Sequence, residues 1–209
     1  MKRLIILPVL ILSLSSNAQV TAKPSHSARI AETIMNTWKD SFSLDGKPAK
    51  WTYDMGVILK GMESSWLNTG DAKYFNYIQK QMDFFVKEDG RIATYKPDEY
   101  NLDHLNNGKL LMTLYRVTGK EKYLKAARLL REQLQTQPRT SEGSFWHKKI
   151  YPNQVWLDGL YMSLPFYAEY AMLMHEDTAF SDIASQFIRI EQKARDLSTG
   201  LLYHAWDES

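Results

Sequence analysis

The chain contains no cysteine. Disulfides, thiolate-ligated zinc, iron–sulfur clusters and a thiol nucleophile are therefore excluded within it. So is the lipidated cysteine of a bacterial lipoprotein anchor. An excess of charge of one sign is also missing: 26 Lys and Arg stand against 24 Asp and Glu, a net +2. That balance does not fit a binder of nucleic acid or anionic membrane that works by bulk charge. No Gly-rich phosphate loop, Walker sequence or G-x-S-x-G elbow occurs, so nucleotide binding and serine hydrolysis have no sequence support. There are five histidines, and no two have metal-ligand spacing. No metal site and no cofactor are expected. No apolar run reaches membrane-spanning length.

What is present is ordinary for a globular protein, with 44% hydrophobic and 24% charged residues in 209. That length allows one domain or part of a larger one. Aromatics reach 12%, which suits stacking on sugar-like ligands, though core packing is their commoner use. Residues 1–18 read as a secretory signal peptide. Lys2 and Arg3 form a basic start, Leu4 to Leu14 an apolar run, and Ser16-Asn17-Ala18 a small-x-small cleavage signal. The expectation is export, to the periplasm or the medium of a bacterium, with no membrane attachment after cleavage.

An internal repeat organises the rest. Thr69-Gly70-Asp71-Ala72-Lys73-Tyr74 resembles Thr118-Gly119-Lys120-Glu121-Lys122-Tyr123, 49 residues later. Asp54 and Asp103 each precede their copy by 15 positions, and a weaker third copy follows Asp158 at His175-Glu176-Asp177-Thr178-Ala179-Phe180. Segments 71–87, 121–136 and 178–195 carry one apolar stripe at helical spacing with a charged back. Segments 51–67, 102–117 and 154–174 are apolar on most faces, so they read as helices buried on several sides. A further helix is expected at 26–42. Each Thr-Gly pair fits a helix stop.

Alternating inner and outer helices suit either an open solenoid or a closed (α/α)6 toroid. A toroid gathers the N-terminal ends of its inner helices around one pocket, and Asp54, Asp103 and Asp158 lie near such ends. The turns there are rich in unusual residues, such as Phe145-Trp146-His147-Lys148-Lys149 and Tyr203-His204-Ala205-Trp206-Asp207. Both features favour the toroid. The expected fold is all-α, with only about the first half of the six-hairpin barrel present. Residues 19–209 are read as the N-terminal portion of a single toroid domain, belonging to a longer protein or a truncated product.

Asp103 and Asp158 form the best candidate pair for chemistry. Desolvation and a second nearby carboxylate both raise an acid's pKa, and a protonated acid can donate in a transition state. The competing explanation is helix N-capping, because Asp at a helix start accepts backbone N–H bonds. Asp54 fits a cap or a first-turn charge better still. His147 and His204 lie in aromatic-rich turns. Lys148 and Lys149 could meet an anion or be simply solvated. Trp51, Tyr53, Trp146 and Trp156 could stack on a sugar ring or belong to the core.

Several stretches occur in order: Trp51-Thr52-Tyr53-Asp54-Met55-Gly56-Val57, Leu102-Asp103 with Gly108, Phe145-Trp146-His147-Lys148, Gln154-Val155-Trp156-Leu157-Asp158-Gly159-Leu160-Tyr161-Met162, and Gly200-Leu201-Leu202-Tyr203-His204-Ala205-Trp206-Asp207-Glu208. Together they resemble the unsaturated rhamnogalacturonyl hydrolases, glycoside hydrolase family 105, from about residue 26 onward. The resemblance implies an (α/α)6 barrel. It also implies action on unsaturated uronic-acid-terminated oligosaccharides left by polysaccharide lyases. Such enzymes protonate C4 and hydrate C5 of the C4=C5 double bond. The position matching the proton donor is Asp158, and Asp103 matches the supporting carboxylate. Tyr53, His147, Lys148, Trp156 and His204 match pocket residues around the uronate. The alternatives are a related unsaturated glucuronyl hydrolase, another toroid enzyme such as an epimerase or lyase, or a non-catalytic helical repeat that binds carbohydrate.

Overall fold

The apolar periodicities of the sequence become three helix hairpins. The structure, a computed structural model, describes residues 24–43 and 46–209. The export signal expected at residues 1–18 lies outside the described residues. In order come α1 (His26–Thr37), α2 (Tyr53–Thr69), α3 (Ala72–Phe85), α4 (Gly108–Thr118), α5 (Glu121–Thr136), α6 (Leu157–Met174) and α7 (Ala179–Ala194). Two short strands, β1 (Gln154–Trp156) and β2 (Ala205–Asp207), pair antiparallel with Val155 opposite Trp206. Single 3-10 turns occupy Pro97–Glu99 and Leu102–Leu105.

Inner helices α2, α4 and α6 pack side by side in chain order, and α3, α5 and α7 each pack on the inner helix that precedes them. The middle hairpin is covered from both sides, so every residue from Gly108 to Leu114 is buried. Leu110, Leu111 and Leu114 are fully enclosed, each contributing about 1.5–3 kcal/mol by leaving water. A Cβ at Gly108 would lie 2.4 Å from the Phe166 ring. Glycine there lets α4 approach α6 closely.

The repeat has a physical cause. Gly70 and Gly119 end α2 and α4 in the left-handed conformation, at φ 70° and 65°, each donating its N–H to the carbonyl four residues earlier at 2.8 Å. Thr69 and Thr118 bond their hydroxyls back into the helix, to Ser65 and Leu114. In the third copy His175 takes the left-handed position at φ 57°, which is why that copy lacks the Thr-Gly signature. Gly119→Ala is expected to lower unfolding free energy by about 1 kcal/mol, because alanine resists positive φ. Urea denaturation would read this as a lower midpoint at unchanged slope.

The structure corrects several helix limits. The first helix stops at Thr37, not 42. The carbonyl of Trp38 is taken by Tyr77 Oη and Gln81 Nε2, both at 2.9 Å, and its backbone leaves the helical region. Segment 102–117 divides into the Leu102–Leu105 turn and α4. Residues 154–156 form a strand because residues 205–207 pair with them. The stripe of α7 is only partly covered: Ile183 and Ile190 are buried, but Phe180, Phe187 and Ile188 are about half exposed. That helix packs on α6 and β2.

Candidate active site

Three chain segments converge at the N-terminal ends of α4 and α6. The first is the Leu102–Leu105 turn, which carries Asp103. Its helical entry is capped by Asn101, whose Oδ1 accepts the Asp103 N–H at 3.0 Å. Asp103 is thereby released from capping, and its carboxylate faces inward, largely buried. The second segment is the 145–156 loop. His147 is pinned through its backbone, with N–H to the Gln154 carbonyl at 2.8 Å and its carbonyl accepting Leu102 N–H at 3.0 Å. The third is the start of α6. There β1 runs into the helix and β2 lies alongside, and Leu157 N–H bonds the His204 carbonyl at 2.7 Å. That bond holds His204 near Asp158.

Asp103 is gripped from two sides. Lys148 Nζ lies 2.7 Å from Oδ2 and His147 Nε2 lies 3.4 Å from Oδ1. The His147 ring stacks on Trp156 with centroids 4.3 Å apart and planes within 9°. Tyr151 stacks on the same indole at 5.1 Å and 15°. The His147 side chain is 1% exposed, and burial lowers its pKa despite the opposing charges of Asp103 and Asp158. Burial thus favours the neutral imidazole. Its Nδ1 has no hydrogen-bond partner and faces Gly159, where a Cβ would lie 2.7 Å away.

Asp158 is differently placed. It sits in the first turn of α6, whose N-cap position is Trp156 with no side-chain cap. Its Oδ1 is buried and has no hydrogen-bond partner among the described residues. His204 Nε2, at 3.8 Å, is too distant for a hydrogen bond. With Oδ1 enclosed, the 41% exposure of the side chain falls on the rest of the group, so it is through Oδ2 that Asp158 can exchange a proton with a ligand. Asp103, His147 and Asp158 each place one donor atom within 4.8 Å of the others. A divalent ion among them would sit beside the Lys148 ammonium, so the set suits proton handling better than metal ligation.

Tyr53 opens α2 and is half exposed. Its pKa is raised, first by the neighbouring Asp54 charge, then by burial and by Asp103. Asp54 is not among the groups clustered with Asp103 and Asp158. Trp51 is core, packed edge-on to Phe85. Lys149 turns away, 5.8 Å above the Tyr100 ring. Trp146 is half buried, and its carbonyl accepts from Gln137. Tyr151 was not among the sequence candidates. Only its place in the aromatic-rich loop pointed to it, and its stacking depends on the tight Lys148–Tyr151 turn.

Residues 26–209 match the family model described as Glycosyl Hydrolase Family 88. The chain is 28% identical over 185 residues to the unsaturated rhamnogalacturonyl hydrolase YesR of Bacillus subtilis (strain 168), covering 86% of this chain and 51% of that protein. It is 48% identical to a solved glycoside hydrolase from family 105 of C. acetobutylicum ATCC 824. The TM-score is 0.79, with 88% of this chain and 49% of that one covered. A possible family 105 member from Klebsiella pneumoniae subsp. pneumoniae MGH 78578 shares the fold at 19% identity and TM-score 0.71, over 100% of this chain and 58% of that one. The chain spans about half the length of the first two. The three hairpins are accordingly an arc of an (α/α)6-type toroid.

Proposed function

The chain belongs to Glycosyl Hydrolase Family 88, and from that premise we propose that it carries the acid–base centre of a hydrolase of unsaturated uronyl oligosaccharides. The substrate class is the product of polysaccharide lyases, with a C4=C5 double bond on the terminal galacturonyl residue. One observation carries the reading. Two carboxylates from adjacent inner-helix starts lie with an oxygen pair within 4.8 Å. One is braced by Lys148 and His147, and the other leaves an oxygen unpartnered.

That spacing is too short for inverting hydrolysis, and hydration is the chemistry the family premise adds. An inverting glycosidase needs carboxyl groups about 6.5–9.5 Å apart, to hold water on the opposite face of the sugar. In the proposed reaction Asp158 gives its proton to C4, and positive charge develops at C5 and the ring oxygen. Water adds its oxygen to C5, and the Asp158 carboxylate takes the water's proton. The resulting hemiketal opens by breaking the bond from C5 to the ring oxygen. The remaining hemiacetal at C1 then releases the leaving sugar and leaves a keto-aldehyde acid. Asp103, with its charge met by Lys148, stabilises the positive charge. Lys148 and His204 flank the sugar's carboxylate, and Tyr53 and Trp156 border the ring.

Lys148→Met is expected to raise KM about tenfold or more, since a charge-assisted contact contributes about 1.5–3 kcal/mol. Steady-state kinetics on an unsaturated disaccharide would measure it, and an unchanged KM would remove Lys148 from the substrate site. The reading also includes export, and residues 19–209 as the N-terminal portion of a single catalytic domain. The named relative YesR favours the rhamnogalacturonan product over a glucuronan product. Comparing turnover of the two unsaturated disaccharides tests that preference.

A further inference from the structure

Three consecutive residues at the start of α2, Trp51 to Tyr53, are laced to the turn that carries Asp103 and to the two asparagines that follow it. Trp51 Nε1 donates to the His104 carbonyl at 2.8 Å. Asn107 Nδ2 donates to the Thr52 carbonyl and Asn106 Nδ2 to the Tyr53 carbonyl, each at 3.0 Å. Both asparagines are fully buried. We infer that Asn106 and Asn107 are positioning residues that fix the Asp103 turn against the start of α2, and so set where the Asp103 carboxylate meets Lys148 and His147. The inference rests on the reading of Asp103 as part of the reacting site.

Stability alone does not account for the pair. The carbonyl of a helix's N-cap residue, here Thr52, already accepts the first intrahelical bond, and that of Tyr53 the next. Neither carbonyl needs an asparagine to be satisfied. Each amide also leaves its own Oδ1 buried without a partner, a cost an apolar side chain would avoid. Room for them is made at the expense of another position. A Cβ at Gly56 would lie 2.3 Å from Asn107 Oδ1 and 2.7 Å from Asn106 Nδ2. The connection to Asp103 is direct, since Asn106 N–H bonds the Asp103 carbonyl at 3.2 Å. A displaced Asn106 therefore moves the backbone that carries the carboxylate. Such two-donor lacing fixes register at two adjacent points, where one bond would leave a pivot.

The test is a double-mutant cycle in the full-length protein. Asn107→Ser is expected to lower kcat about tenfold or more while KM stays within about threefold. In an Asp103→Asn background the same change should alter kcat less than about twofold, because the group it acts through is gone. Gln81→Leu is the matched control. Gln81 is another fully buried amide with one donated bond and an unpartnered oxygen. Its loss should lower the melting temperature and leave kcat unchanged. A second readout needs no turnover. His147 is faced by Asp103, Asp158, Lys148 and His204. If Asp103 shifts away, the His147 midpoint in an NMR titration should move down in Asn107→Ser and stay put in Gln81→Leu. Equal kcat losses in both backgrounds, with an unmoved His147, would overturn the inference. If the wild type consumes no unsaturated uronide, the functional reading falls, and the His147 titration alone decides: a moved midpoint sustains the positioning role and an unmoved one ends it.

Discussion

Asp158→Asn is expected to lower kcat about a thousandfold while leaving the fold intact. General acid–base groups contribute about 10²- to 10⁴-fold, and here one residue both donates and retrieves the proton. The amide keeps the shape of the acid. It disturbs no cap, because Asp158 caps nothing, and it breaks no bond at Oδ1, which has none. Unfolding free energy should therefore change by less than about 0.5 kcal/mol. Loss of the enoic acid's ultraviolet absorbance measures the first effect and thermal melting the second. A variant that keeps more than about a tenth of wild-type kcat would assign proton transfer elsewhere.

Gly159→Ala should produce the second-largest effect, through His147. The new methyl would lie 2.7 Å from His147 Nδ1 and 3.3 Å from Leu102 Cδ1. The imidazole cannot swing aside freely. Its backbone is bonded at both N–H and carbonyl, and its ring is stacked on Trp156. Either the ring leaves its place beside Asp103 or α6 moves outward with Asp158. We expect a stability loss of about 1–3 kcal/mol from overpacking. A displacement near 1 Å at the site should also lower kcat about a hundredfold. Gly61→Ala provides the contrast, as no neighbour lies within 4 Å of its Cβ position in α2. That change should stabilise the protein by up to about 1 kcal/mol and leave kcat alone. Equal behaviour of the two variants would show that His147 tolerates displacement.

The arc of helix pairs was legible because its signals are local. Apolar spacing marks the helices, and Thr-Gly marks two of the three hairpin turns. The third turn was blurred because His175 occupies the left-handed position without a glycine. Asp103 and Asp158 could be picked out by their place at the starts of apolar helices, but the sequence could not separate chemistry from capping. The structure separates them through Asn101, which caps the Asp103 turn, and through the unpartnered Asp158 oxygen. Long-range contacts were invisible. Trp38 ends α1 because Tyr77 and Gln81 take its carbonyl from α3. The buried Asn106–Asn107 pair reads as a polar loop until Thr52 and Tyr53 are seen opposite it. The half-exposed Phe187 and Ile188 looked like core because periodicity records a stripe and not what covers it.

The most direct test of the central claim is the fate of one hydrogen at C4. Wild-type protein would be given an unsaturated disaccharide made by a rhamnogalacturonan lyase, in deuterium oxide, and the early product examined by NMR. Protonation by Asp158 within the site predicts absorbance lost with turnover and a single deuterium at C4, delivered to one face. Deuterium spread equally over both faces would contradict the account, because it would mean that ordinary glycoside cleavage released an enol which was then protonated in solution. A folded full-length protein that leaves the absorbance of every unsaturated uronide untouched would contradict it outright.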